Sequence, residues 1–290
     1  MTERTAVEDL PGGAAPDSTA IAVPGRAAGR IRIDPARALR QAVPPAIVFV
    51  LLILAWEYGI KLFNIPDYTL PPPSRIIHTL PTIGELKADT YYTVIREALP
   101  GYLIGSVVGF AGALIATRFR FFARGLLPYA VITNSVPIVG FAPIALVLFG
   151  IDWQSKAFIA AVLTSFPMFV NAYRGLTSID SLSLQLMRSY AAGWWATFFK
   201  LRLPASLPYV FNALKINTSL AMIGAIIGEY FGGQAQGLGY FIEKEDGSLV
   251  MDDVWAAVVV ACAIGIAAYL IVVALERILT SWHISFRAGR

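Results

Sequence analysis

Residues 184–208 read Leu184-Gln-Leu-Met-Arg-Ser-Tyr-Ala-Ala-Gly-Trp-Trp-Ala-Thr-Phe-Phe-Lys-Leu-Arg-Leu-Pro-Ala-Ser-Leu-Pro208. Apolar side chains recur in this stretch at three- and four-residue steps, so they share one helical face. They are Leu184, Met187, Ala191, Trp194 or Trp195, and Phe198. Prolines follow at Pro204 and Pro208, and proline interrupts helical hydrogen bonding. The spacing predicts one short amphipathic helix over about 184–200 that ends before the prolines.

An amphipathic helix with a basic flank has two common uses. It can place aromatic side chains in a groove of a partner protein, or it can lie on lipid headgroups at a membrane surface. Both uses need an apolar stripe beside basic residues. The spacing alone therefore leaves both open.

The composition outside this stretch is that of an integral membrane protein. Of the 290 residues, 57% are hydrophobic and the mean hydropathy is +0.64, which is too apolar for an ordinary soluble domain. Long windows that are mostly free of charge lie at 44–63, 98–117, 125–151, 157–173, 216–228 and 254–275. Because a spanning helix needs about 20 apolar residues, we expect an all-α polytopic protein with about six transmembrane helices.

The distribution of charge predicts the orientation in the membrane. Basic residues cluster before the first window, between the second and third, around 184–208 and after the last, whereas the loop containing Glu243 and Asp246 is acidic. By the positive-inside rule, both termini and the 184–208 stretch are cytoplasmic. Basic residues at membrane edges rather than on one face argue against nucleic-acid binding.

The chain divides into two expected regions. Residues 1–40 are rich in Ala, Pro and Gly with scattered charges, which predicts a disordered cytoplasmic tail. Residues 41–285 would form the transmembrane domain. The single cysteine excludes a disulfide within the chain, and no His, Asp or Cys cluster indicates a catalytic or metal site.

Prolines and polar side chains inside the apolar windows suggest a solute pathway. Proline bends a helix, and a bent helix is tolerated in a membrane where protein or a water-filled cavity satisfies the freed groups. The pathway-lining candidates are Asn134, Pro137, Phe141, Phe166, Asn171, Asn217 and Glu229. Interhelical hydrogen bonding is the alternative role for the polar members.

Glycines recur at near four-residue steps in the second window. They are Gly101, Gly105, Gly109 and Gly112. Small residues at this spacing allow two helices to approach closely in lipid. We therefore expect tight helix packing there rather than a ligand site.

The 184–208 stretch resembles the cytoplasmic coupling loop of the binding-protein-dependent ABC importer permeases. That loop has the pattern Glu-Ala-Ala-x3-Gly-x9-Ile-x-Leu-Pro. Aligned on 201–204, the pattern places its Glu at Gln185, its second alanine at Met187 and its Gly at Ala191. Residues 136–151 and 236–242 also resemble this family, in its nitrate, sulfonate, taurine and pyrimidine-precursor branch.

The resemblance implies a type I importer permease fold with a coupling role for one set of residues. They are Gln185, Met187, Arg188, Ala191, Gly193, Trp194, Trp195, Phe198, Leu203 and Pro204. It also implies a second permease copy, a cytoplasmic ATPase dimer, an extracytoplasmic solute-binding protein and a bacterial inner-membrane location. The chain lacks a Gly-Lys phosphate-binding loop, so ATP would bind the partner and this chain would hold no cofactor. The solute would be small and either polar or anionic.

An ATP-independent secondary transporter or channel is the alternative. Such proteins favour inverted repeats or charge pairs inside the membrane. The sequence shows neither feature, because Glu57 and Glu229 have no evident basic partner within the predicted spans. A membrane-embedded enzyme would need clustered catalytic or ligand residues, which are also absent from the sequence.

Overall fold

The computed structural model describes residues 35–81, 83–119, 121–122, 125, 138–232 and 235–280. The chain divides into two compact units, Met1–Leu51 and Leu52–Arg290. In the first unit the described residues, 35–51, form the beginning of one helix. The second unit contains every other described helix.

Helices account for all regular structure in the described ranges. The shorter ones are α2 (Pro73–Thr79), α4 (Phe141–Phe149), α6 (Ser181–Ser189) and α8 (Leu238–Gly247). The long ones are α1 (Pro35–Leu62), α3 (Leu86–Arg118), α5 (Trp153–Thr177), α7 (Trp194–Phe231) and α9 (Met251–Leu279). Turns of π-helix occur in α3 at Tyr92–Ala98 and in α7 at Phe198–Arg202.

The long helices confirm the polytopic membrane fold. Among the described residues, 5 helices are long and apolar enough to cross a membrane, namely α1, α3, α5, α7 and α9. Residues 126–137 of the predicted third window, 125–151, lie outside the described ranges, which resume with the 3-10 turn Ile138–Gly140 and α4. Residues 1–34 of the predicted tail are also outside them, and α1 begins upstream of the predicted boundary at residue 41.

Helix α5 is the centre of the second unit, with α3 and α7 packed on it. Gly101 and Gly105 face α5 so closely that a methyl group at either would overlap Ala160 or Thr164. A similar approach occurs at Gly109. The expected tight packing of the glycine face is confirmed, since no side chain separates the two helices there.

Apolar cores lie along α5, and two of them join it to α7. One joins Phe169 and Leu176 of α5 to Phe198 of α7. The other joins Ala160 of α5 to Met222 of α7 and Leu238 of α8. The first lies at the end of α5 that leads into α6, and the second lies near its beginning.

The single helix predicted over 184–200 is wrong. Helix α6 ends at Ser189, and α7 begins at Trp194. Ala191 has φ 51°, and the N–H of Ala192 donates to Met187 O at 3.0 Å. This left-handed residue with a 6→1 bond is a Schellman helix end. Glycine is usual at the left-handed position, so Ala191 gave no sequence signal for the break.

The predicted stop before the prolines is also wrong. Helix α7 runs on through Pro204 and Pro208. In the π turn Phe198–Arg202, the N–H of Leu203 reaches back to Phe198 O. Pro204 then lies in the first turn of the following α-helical section, where its missing N–H costs little.

Candidate functional site

An aromatic cluster lies at the beginning of α7, immediately after the non-helical residues that separate α7 from α6. Trp194 stacks on Phe198 with ring centroids 5.4 Å apart, and Trp195 stacks on Phe199 at 5.9 Å. The two tryptophan rings meet edge to face at 4.6 Å. We call these four residues the aromatic step. Edge and offset contacts of this kind add to the stability that apolar burial provides.

The aromatic step has an outward and an inward layer. Trp195 is 63% exposed and Phe199 is 58% exposed, whereas Phe198 is 4% exposed. Phe198 belongs to the apolar core that also contains Met168 and Leu176 of α5. A force applied to the outer rings therefore reaches the membrane helices through direct contact.

A hydrogen bond and a helix cap fix the end of α5 and the beginning of α6, near the aromatic step. Arg202 Nη1 donates to Leu176 O, the last turn of α5, at 3.3 Å. Asp180 accepts from the N–H of Ser183 at 2.9 Å and caps the beginning of α6. The bonds from Ser183 hold the pKa of the Asp180 carboxyl below its usual value. The turns on both sides of α6 are thus fixed by local bonds.

The structure places the predicted coupling residues on one continuous surface segment, 185–204. The exposed ones are Gln185, Arg188, Ala191, Gly193 and Trp195. The partly buried ones are Met187, Trp194, Leu203 and Pro204, and Phe198 is buried. Exposed aromatic rings are frequent anchors of protein interfaces, and the coupling role of this segment stays a prediction.

The described members of the predicted pathway set lie on α4, α5 and α7. Asn134 and Pro137 lie outside the described residues. Phe141 begins α4, whereas Phe166 packs against the core around Phe169. A cavity of about 570 Å³ between α7, α8 and α9 is lined by other, mainly apolar residues. The assignment of these residues to a pathway stays a prediction.

Two asparagine side chains in the membrane-spanning helices donate hydrogen bonds to other groups of the protein. Asn217 is fully buried, and its Nδ2 donates to Ser106 Oγ at 3.1 Å and to Thr164 O at 2.9 Å. Asn171 Nδ2 donates to Pro167 O at 2.8 Å. For Asn217 the contacts favour the interhelical role that the sequence left open, because it joins α7 to both α3 and α5.

The expectation that the carboxylates lack basic partners within the spans is wrong. Glu57 accepts from Lys61 Nζ at 3.0 Å and from the N–H of Ser74 at 3.1 Å. Glu229 is fully buried in α7, and the fully buried Lys156 of α5 lies against the same end of α7, next to Gly228 and Gly232. Sequence reading missed Lys156 because it lies just before the charge-free window 157–173.

Further buried charges join the same helices. Glu97 of α3 is fully buried one helical turn after Thr93, whose hydroxyl donates to Glu229. Elsewhere, Lys215 of α7 pairs with Glu276 of α9, with Nζ 3.0 Å from Oε2 and both side chains largely buried. No cluster of three potential metal ligands occurs in the described ranges. Among these groups, Lys215 and Glu276 join α7 to α9 by an ion pair.

The chain resembles known transport permeases over most of its length. The family model of the binding-protein-dependent transport system inner membrane component matches residues 101–282. The formylaminopyrimidine transport permease protein ThiX of Halalkalibacterium halodurans is 30% identical over 247 residues, covering 84% of this chain and 97% of that protein. The riboflavin transport system permease protein RibX of Chloroflexus aurantiacus is 26% identical over 263 residues, covering 88% and 97%. The taurine transport system permease protein TauC of Escherichia coli is 25% identical over 256 residues, covering 84% and 91%.

Proposed function

This chain belongs to the family of binding-protein-dependent transport system inner membrane components, and from that premise we propose that it carries a small organic solute into the cytoplasm. It is a multi-pass permease component of an ABC transport system and not an enzyme. The family implies an ATPase and a solute-binding protein as partners. In the proposal, the ATPase dimer is cytoplasmic and holds the ATP, two copies of this chain form the pathway, and both termini face the cytoplasm of a bacterium.

The observation that supports coupling is the layered aromatic step. Its outer rings are exposed, while its inner ring belongs to a core shared with α5. An ATPase groove that receives Trp195 and Phe199 would therefore move α5 and α7 when it closes. A helix lying on lipid headgroups would bury the same rings but would not depend on a protein partner.

In our proposal, the solute is chemically similar to the compounds that appear in the names of the relatives. Their names concern a formylaminopyrimidine, riboflavin, aliphatic sulfonates and taurine. We propose a solute that is small and polar or anionic, such as a sulfonate or a flat heteroaromatic precursor. The binding protein would perform most of the selection.

Trp195→Asp tests the coupling. The added charge would have to be buried in the ATPase groove, so solute uptake should fall at least tenfold while membrane abundance stays unchanged. Tyr68→Asp serves as the control, because it changes another exposed aromatic residue that is distant from Trp195 in the sequence. This variant should transport normally. Wild-type uptake by Trp195→Asp would contradict the coupling role. Equal loss of abundance and uptake would indicate misfolding, and Trp195→Phe, which keeps an aromatic ring, should then restore both.

A further inference from the structure

The turn before α8 is held by side chains from two other helices. The N–H groups of residues 237, 238 and 239 donate, in that order, to Asp89 Oδ1 at 2.9 Å, Thr93 Oγ1 at 2.8 Å and Glu229 Oε2 at 2.7 Å. Asp89 and Thr93 belong to α3, and Glu229 belongs to α7. Three successive backbone donors thus have side-chain acceptors instead of water.

These donors need partners from outside their own helix. The bonding within α8 starts with the N–H of Phe241 on Gly237 O, so the preceding N–H groups have no intrahelical acceptor. They form the positive end of the helix dipole, where a carboxylate is stabilising. Gly237 has φ 104°, and a Cβ there would overlap the Glu229 carboxylate. The turn is therefore shaped to receive Glu229.

A fully buried polar cluster lies behind the turn. Glu229 Oε1 accepts from Thr93 Oγ1 at 2.6 Å. Lys156 Nζ donates to Ile151 O and lies in the fields of Glu97 and Glu229. Among the described residues, neither carboxyl oxygen of Glu97 receives a hydrogen bond from an N–H or from a hydroxyl group. Glu97 is fully buried one helical turn after Thr93, on the face of α3 from which Thr93 reaches Glu229. A proton on Glu97 that is donated to Glu229 would satisfy both groups.

We propose that Thr93, Glu97, Lys156 and Glu229 form a buried clamp that closes α8 onto α3, α5 and α7 and opens when the permease changes state. A buried polar network is stable when fully satisfied and costly when partly satisfied, so it favours two discrete arrangements over intermediate ones. In this proposal the clamp acts as a switch element. Thr93 and Glu97 act in it as positioning residues.

The clamp lies at the opposite ends of the helices that carry the aromatic step. Helix α5 has Lys156 in its first turn and Leu176 in its last, and α7 has Phe198 near its beginning and Glu229 near its end. At 1.5 Å per residue, the stretch of α5 from Lys156 to Leu176 separates the two sites by roughly 30 Å. The coupling of the clamp to the aromatic step rests on the proposed function. In that function, a movement of the aromatic step would tilt the helices that the clamp joins.

Hydrogen exchange of the 235–241 segment in the purified full chain tests the clamp without any partner. Thr93→Val removes the hydroxyl that bonds both Glu229 and Leu238. Exchange in this segment should become about tenfold faster, the factor that corresponds to one ordinary net hydrogen bond. Thr93→Ser keeps the hydroxyl and should exchange at the wild-type rate. Glu243→Gln, on the exposed side of α8, is the matched control and should also leave the rate unchanged.

Glu97 variants test the proton donor. Glu97→Gln keeps an N–H donor of similar shape and should remain near the wild-type rate, whereas Glu97→Leu should exchange faster. Wild-type exchange in both Thr93→Val and Glu97→Leu would overturn the clamp. Equally fast exchange in Glu97→Gln and Glu97→Leu would overturn the role of Glu97 as donor.

The switching is tested in the assembled transporter. Trapping the ATPase with ATP and vanadate should accelerate exchange of 235–241 in the wild-type complex. An unchanged rate in a complex that demonstrably traps nucleotide would overturn the switch, although the proposed function would stand. Failure to assemble with any ATPase would instead contradict the proposed function, and the Thr93→Val comparison in the isolated chain would still decide the clamp.

Discussion

Asn217→Ala should destabilise the protein without changing its affinity for solute. The buried amide donates to Ser106 Oγ on α3 and to Thr164 O on α5, and the substitution removes both bonds. Each is worth about 1 kcal/mol net in a typical protein and about 0.6 kcal/mol on average between membrane helices. With the small cavity that alanine leaves, we expect a loss of about 1–3 kcal/mol in the free energy of unfolding.

The assay is unfolding by SDS in mixed micelles, followed by tryptophan fluorescence. A double-mutant cycle of Asn217→Ala with Ser106→Ala should give a coupling energy of about 0.6 kcal/mol. Asn212→Ala is the matched control, because the exposed Asn212 has only a weak 3.4 Å contact with Asn171. It should change stability by less than about 0.5 kcal/mol.

The competing role of Asn217 predicts the opposite pattern. If this amide contacts solute in a pathway, Asn217→Ala would alter the KM of uptake and leave stability and coupling near the control values. That result would refute the interhelical assignment and restore Asn217 as a pathway residue.

Other substitutions test the remaining packing. Gly105→Leu should reduce the melting temperature of the purified chain or prevent its accumulation, because the leucine side chain would overlap α5. Gly59→Leu is the control and should be tolerated, because no atom lies within 4 Å of the added Cβ. Ala191→Gly should raise stability by about 1 kcal/mol in the same SDS assay, because glycine adopts the left-handed conformation without steric cost, and a decrease would contradict the Schellman ending of α6. Lys215→Glu should destabilise by about 3 kcal/mol or more, and the added exchange Glu276→Lys should restore most of this; absence of rescue would show that the pair is not a direct bond between α7 and α9.

The membrane architecture could be predicted because its physical signal is local. An apolar window of sufficient length is enough to predict a spanning helix, and a glycine stripe such as that of Gly101 and Gly105 is enough to predict close packing. The helices nevertheless extend beyond the windows. Helix α3 begins at Leu86 rather than near residue 98, and its additional turns hold buried polar residues such as Thr93, whose hydroxyl donates to Glu229 of α7.

The break between α6 and α7 could not be predicted from spacing. The apolar period continues from Met187 to Trp194, and Ala191 is a good helix former. Gly193, which could mark a helix end, lies two residues after the left-handed position. The left-handed Ala191 and the extended Gly193 become favourable only where the aromatic step can reach its core. The alignment did, however, place the glycine of the family pattern at Ala191, which has the conformation that glycine favours.

The buried charges were missed for a different reason. A search for charge-free windows excludes residues at their edges, and Glu97 and Lys156 lie one residue outside theirs. Their partner Glu229 is distant in sequence, so only the packing of α3, α5 and α7 brings the three together. Their burial shows that these helices satisfy charge at one end of the bundle instead of excluding it.

The most direct test of the central claim is a quantitative pull-down of the tagged chain from gently solubilised native membranes, with mass spectrometry of the recovered proteins. We expect an ATPase with a phosphate-binding loop to be recovered with the wild-type chain and with Tyr68→Asp, and to be lost with Trp195→Asp at equal recovery of the permease. Reproducible recovery of intact permease oligomers without an ATPase would contradict the account and favour an ATP-independent transporter or channel. Undiminished recovery of the ATPase with Trp195→Asp would contradict coupling through the aromatic step.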